Sequence, residues 1–180
     1  MISEPFVEEI LGFWFGLSQE QWFKADAELD AKIRERFHRL RETQQGSPAT
    51  SFLGSPREAL AAVVLFDQFP RNMFRGHADQ FATDHLGLAV AKEAVALGYD
   101  DALSEAERGI LYMPFQHSEE LEDQQRSVGL FSSLKDKFQL DFARKHHDVI
   151  ERFGRFPHRN AILGRAPRPD EVAAGDVVPW

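Results

Sequence analysis

Ser55–Phe66 reads SPREALAAVVLF, and its interpretation decides the fold. The run Ala59–Phe66 is apolar throughout, so periodicity cannot separate a buried strand from a buried helix. The residues in front of it can. Ser55 suits an N-cap, Pro56 a first helical turn whose N–H needs no partner, and Glu58 the third position of a capping box. The stretch is therefore read as a fully buried central helix, which carries Asp67 at its C-terminal end.

Outward from it, apolar residues recur at spacings of three and four, and sustained alternation is nearly absent. The spacing predicts helices over Glu4–Phe15, Ala27–Gln44, Asp84–Leu97, Glu119–Lys135 and Lys137–Phe153, with a short one from the Ser104/Glu107 capping box to Pro114. Leu29, Ile33, Phe37 and Leu40 form the buried stripe of the second. Trp22 and Phe23 are expected to pack a short turn on the core. Thr83 and Ser118 are expected as N-caps and Gly98 as a helix stop. Residues 46–54 and the stretch QFPRNMFRG (68–76) are read as a loop and a turn. Short connections favour antiparallel neighbours, so the expected fold is all-α, stacked helical hairpins in a single domain. No repeat of about 34 residues is visible, but Phe69-Pro-Arg-Asn72 is echoed by Phe156-Pro-His-Arg-Asn160, as if two helices ended in one kind of turn.

Composition limits function. The chain has 180 residues and no cysteine, which removes disulfides, thiolate metal sites and cysteine nucleophiles. A net charge of -8 argues against nonspecific nucleic-acid binding, which requires a basic surface. No apolar stretch reaches the roughly 18 residues of a membrane span. MISEPFVEEI lacks the features of a secretory signal, so a cytoplasmic location is expected. The sixteen phenylalanines are read as core. Metal and cofactor templates fit poorly: His117 and Glu120 imitate half of a di-iron pattern in reversed order, and no phosphate-binding loop, dinucleotide fingerprint or nucleophile elbow occurs. No metal and no cofactor is expected.

The candidate site residues are polar groups in costly positions. Asp67 needs a cation, and Arg71, four residues on, or the C-terminal arginines can supply it. His117, Glu120, Gln124 and Ser127 form a row that either lines a pocket or satisfies neighbouring backbone. His146 falls on the apolar face of the last long helix and is read as a hydrogen-bonded core residue. Arg152, Arg155, Arg159, Arg165 and Arg168, with His158, stand in a window free of acids. They either bind an anion or pair with Asp67, Glu119, Glu120 and Asp123.

Trp22-Phe-Lys24, Leu65–Asn72 (LFDQFPRN), Tyr112–Glu119 (YMPFQHSE), Asp123–Val128 and Arg152–Arg165 together resemble the bacterial domain of unknown function 924 family, over about residues 6 to 165. The resemblance implies an all-helical fold similar to tetratricopeptide-repeat proteins, and no reaction. It marks Asp67, Arg71, Asn72, His117, Glu119, Glu120, Gln124, Arg155, His158, Arg159 and Asn160 as candidate ligand-binding residues. Two positions depart from the family pattern: Ser51-Phe52 replaces a tryptophan before the central helix, and Arg168 replaces the small hydroxyl residue that would cap a last helix. The tail from about residue 166 is accordingly expected to be poorly anchored. The expected function is a helical scaffold that binds an anionic small molecule or an acidic peptide segment. The alternative is an enzyme in which His117 or His158 moves protons, Asp67 or Glu120 serves as carboxylate, and Arg155 and Arg159 hold an anionic substrate.

Overall fold

The computed structural model describes residues 2–178, apart from the side chains of Gln19 and Phe23, so the expected packing of Phe23 lies outside the described residues. The fold is all-α, with no strand among the described residues. By its internal contacts the chain divides into two compact units, residues 1–111 and 112–180.

In the first unit, α1 (Glu4–Phe15) and α3 (Ala27–Gln44) have the bounds that the apolar spacing predicts, with α2 (Gln19–Phe23) between them. Trp22 stacks on Trp14 at 5.9 Å between ring centroids and donates its indole N–H to the Trp14 carbonyl. Phe69 is fully buried and touches Phe13, Trp14 and Phe37. Burial of such a side chain contributes about 2–3 kcal/mol, so Phe37 and Phe69 are core as read, whereas Phe13 is half-buried and Phe6 and Phe138 are exposed. The stripe of α3 differs at one place: Arg41 is buried and Leu40 half-buried.

The central stretch is helical, and the signal in front of it operates. Ser55 Oγ accepts the Glu58 N–H at 3.1 Å, and Pro56 opens α4 (Pro56–Val63). The capping box does not close, because the Glu58 carboxylate accepts the N–H groups of Ile2 at 2.8 Å and Gly54 at 3.1 Å instead. Residues 46–54 contain a 3-10 turn, Ala49–Phe52, that buries Phe52 edge-on to Phe66.

Beyond Phe66 the sequence reading needs correction. The chain stays helical to Met73, through a π-turn at Val64–Gln68 and α5 (Phe69–Met73), so Asp67 lies inside a continuous helical run. Pro70 explains the π-turn. Its ring cannot tolerate an ordinary α-helical carbonyl behind it, and the wider turn, closed by Phe69 N–H to Val64 O, re-aims the carbonyls. Thr83 does not cap the next helix, α6 (Asp84–Ala96), with its side chain; its hydroxyl donates to the Phe66 carbonyl at 2.7 Å. Gly87 of α6 lies against the π-turn, where an added Cβ would stand 3.1 Å from the Asp67 Cβ. Gly98, at φ 71°, stops α6 as expected.

A helix α7 (Glu105–His117) crosses the boundary between the units. Pro114 is inside it rather than at its end, so the helix continues for most of a turn after losing one i→i−4 bond. In the second unit α8 (Leu121–Ser132) starts two residues later than Ser118 predicts: the Ser118 hydroxyl accepts the Glu120 N–H and donates to Asp123 Oδ2 at 2.8 Å. After a short connection α9 (Lys137–Phe153) packs on α8 as a hairpin. It keeps its predicted bounds because Asp136 caps it and Gly154, at φ 65°, ends it.

One sequence echo has no structural counterpart here, and one expectation fails. Phe156-Pro-His-Arg-Asn160 does not repeat the Phe69-Pro-Arg-Asn72 conformation: Phe69 is α-helical, whereas Phe156 is extended before a 3-10 turn. The tail is anchored, because α10 (Pro169–Ala174) forms and its Glu171 is 3% exposed.

Candidate functional site

The candidate residues Asp67, Arg71 and Asn72 belong to the first unit. Asp67 is fully buried in the π-turn and accepts from the Gln68 amide at 2.6 Å. Arg71 Nη1 lies 3.5 Å from the Asp67 carboxylate and also donates to the Asp67 carbonyl. The same guanidinium forks onto Asp84 with two bonds of 3.0 Å. Burial opposes the charge on Arg71, but Asp67 and Asp84 outweigh it and raise its pKa. Asn72 points elsewhere: it donates to Asp30, which Arg75 grips at 2.7 and 2.9 Å, at the wall of an open cleft of about 560 Å³.

The other candidates belong to the second unit, where two ion pairs organise the C-terminal stretch. Arg165 forks onto Glu119 at 2.7 and 3.0 Å, and Glu119 also accepts the Phe156 N–H at 2.7 Å. Burial alone would raise the Glu119 pKa; the bonds from Arg165 and Phe156 hold it below the usual carboxylate range. Arg155 forks onto Glu171 at 2.6 and 2.8 Å. Glu171 further accepts from the Asn160 amide and the Arg168 N–H, and, with the Arg155 bond foremost, its pKa falls to about 2. The spacing of the sequence does not single out Glu171. The signal was there: it stands third after the position Arg168, where a glutamate caps a helix by reaching back to the backbone.

Arg155 and Asn160 thus tie down α10, and Glu119 ties down the turn at Phe156. Glu120 is exposed at the N-cap of α8 and offers no side-chain cap. Gln124 is fully buried, and its amide donates to the carbonyls of Gln116 and Ser118, each at 2.7 Å, so it closes the C-terminal end of α7. Those bonds fix the amide orientation and leave Gln124 Oε1 buried without a partner; Ser127 Oγ, one turn on, is in the same condition.

In the same unit Arg159 and the histidines His117, His146 and His158 act on one another electrostatically. Arg159 is 8% exposed, donates to the His117 carbonyl at 3.0 Å and covers the Phe156 ring at 4.4 Å. His146 Nδ1 bonds the Phe142 carbonyl at 2.8 Å, which requires the proton on that nitrogen. Desolvation, reinforced by His117, Arg159 and His158, pushes its pKa down to about 3. His158 falls to about 4, first by burial and then by Arg159. Both rings are neutral at pH 7, so His158 can accept a proton there but does not hold one to give. Gln124 lies about 12 Å before the end of α8 and His146 about 14 Å after the start of α9, so the hairpin sets them at one level.

A family model described as "Bacterial protein of unknown function (DUF924)" matches residues 10–174. The chain belongs to this family. A comparison with curated proteins returned no match. Among solved structures, the DUF924 chain is similar to the protein of unknown function ATU0120 from Agrobacterium tumefaciens, with 39% identity and a TM-score of 0.88, covering 94% of this chain and 96% of that one. The motifs that this DUF924 chain shows therefore serve two separate arrangements: DQFPRN shapes the π-turn of the first unit, and HSE with RFGRFPHRN builds the ion pairs and the polar centre of the second.

Proposed function

We propose that this DUF924 protein is a binding scaffold for a small anionic molecule, held in the second unit at Gln124, Ser127 and Arg159. The observation that carries the reading is the pair Gln124 Oε1 and Ser127 Oγ, fully buried and without hydrogen-bond partners on one face of α8. Such atoms cost about 1–3 kcal/mol each unless a bound molecule or water meets them. The guanidinium of Arg159 supplies the charge that suits an anion, and a hydroxyl on the ligand would satisfy the Gln124 oxygen. Full burial of both orphaned atoms favours a small molecule over an acidic peptide. Arg155 and Arg165 are left out of the ligand set because Glu171 and Glu119 occupy their forks.

The test is thermal shift across anionic metabolites, comparing wild type with Ser127→Ala. Wild type should be stabilised by at least one compound at millimolar concentration. Ser127→Ala should keep the wild-type melting temperature without ligand, since it removes a hydroxyl that has no partner, and lose most of the ligand shift. A ligand shift that Ser127→Ala leaves intact would remove this site from consideration.

A further inference from the structure

Arg41 raises a separate question in the first unit. Its side chain is 3% exposed, and desolvation lowers its pKa despite the nearby acids Glu42 and Asp79. Among the described residues its salt bridge, Nη1 to Glu42 Oε1 at 2.8 Å, runs to a neighbour along the chain whose side chain is 46% exposed. The opposite edge of the guanidinium can also grip an oxyanion with two parallel bonds, as that of Arg155 grips Glu171, and there Nε is buried with no hydrogen-bond partner.

A second orphaned donor stands in the neighbouring turn. Residues Ala78–Phe81 form a 3-10 turn whose Asp79 acts electrostatically on Arg41, and the next residue, Gln80, has its Nε2 buried without a partner. Both orphaned atoms are donors, so the partner each lacks is an acceptor such as an electron-rich oxygen. The approach is basic as well. Arg34, His38 and Arg41 recur at one face of α3 and all lie over the Phe74 ring, at 5.8, 5.7 and 4.9 Å. Arg34 also lines the open cleft, together with Asp30, Glu35, Asn72 and Arg75, so this face of α3 borders an open surface.

We propose that the Nε edge of Arg41, together with the Gln80 amide, binds a small oxyanion, a carboxylate or phosphoryl group, at a site separate from that of Gln124 and Ser127. Glu42 and Asp79 are the acids that face the site; Glu42 engages only Nη1, and Asp79 sets the limit on how much negative charge the ligand can carry.

Titration calorimetry of the full chain with inorganic phosphate and with acetate, at fixed ionic strength, tests the proposal. Wild type should bind at least one of them saturably; phosphate alone would assign a phosphoryl group, acetate alone a carboxylate. Arg41→Lys keeps the charge but loses the fork, and should weaken binding about tenfold. Gln80→Met should weaken it several-fold and decides the matter if Arg41→Lys does not fold. Ser127→Ala should leave it unchanged. No saturable binding to either anion, equal binding by wild type and both Arg41→Lys and Gln80→Met, or loss of binding in Ser127→Ala would each overturn the proposal.

Discussion

Thr83 Oγ1 donates to the carbonyl oxygen of Phe66 at 2.7 Å, and that carbonyl is the one for which Pro70 has no N–H to offer. A proline inside a buried helical run leaves an orphaned acceptor, and a side chain seventeen residues away supplies the donor. Thr83→Val keeps the shape and removes the hydroxyl. It should cost about 1–3 kcal/mol in chemical denaturation, whereas Thr83→Ser, which keeps the hydroxyl, should avoid most of that loss.

Gly87 holds α6 against the same turn. In an open helix Gly→Ala gains up to about 1 kcal/mol. Here the new Cβ would meet the Asp67 Cβ at 3.1 Å and its backbone nitrogen at 3.5 Å, in a fully buried residue that cannot retreat. Gly87→Ala should therefore lower stability, by about 1–3 kcal/mol, read as a fall in melting temperature.

Gln124 should act as a cap supplied from another helix. Gln124→Leu leaves the carbonyls of Gln116 and Ser118 without the donor that closes α7, at a cost of about 2 kcal/mol. Hydrogen exchange should accelerate first in the last turn of α7.

Stability should fall with acid in two stages. His146 has its folded pKa depressed to about 3, so the unfolded chain takes up its proton first, from its ordinary value near 6.5, and stability declines as pH falls through that window. The slope from this group alone approaches about 1.4 kcal/mol per pH unit. Glu119 and Glu171 are also depressed, Glu171 to about 2, and their contribution is present above the ordinary carboxylate pKa and lost as pH falls toward 2. His146→Gln should reduce the decline between about pH 6 and pH 4.5, leaving the share due to His158, whose pKa is depressed to about 4, and Glu171→Gln should reduce the decline below it. Denaturant midpoints measured across the range distinguish the two.

Much of this was legible in residue order because it depends on neighbours along the chain. The bounds of α1, α3 and α9 follow from apolar spacing and local stops, and the Ser55 cap identified the central run as helix. The burial of His146 followed from its place on a helix face. What failed did so where a distant group replaced a local one. Pro114 and Pro70 read as helix ends by local rules, yet α7 runs past Pro114 to His117, where Gln124 closes its end, and the run through Pro70 is kept by a π-turn and Thr83. Arg168 lacks the hydroxyl of an N-cap, yet α10 forms because Glu171 reaches back to its N–H and pairs with Arg155, sixteen residues earlier.

The same division holds for the candidate site. Sequence determined that arginines near the C-terminus must find anions, because guanidinium does not lose its proton. Only the tertiary structure decided which carboxylates they find: Arg155 takes Glu171 and Arg165 takes Glu119, pairs separated by 16 and 46 positions. Charge need is a property of a residue type and can be read anywhere in a chain. Partner identity is a property of distance, and Coulomb and hydrogen-bond energies are realised only between groups that folding has brought together.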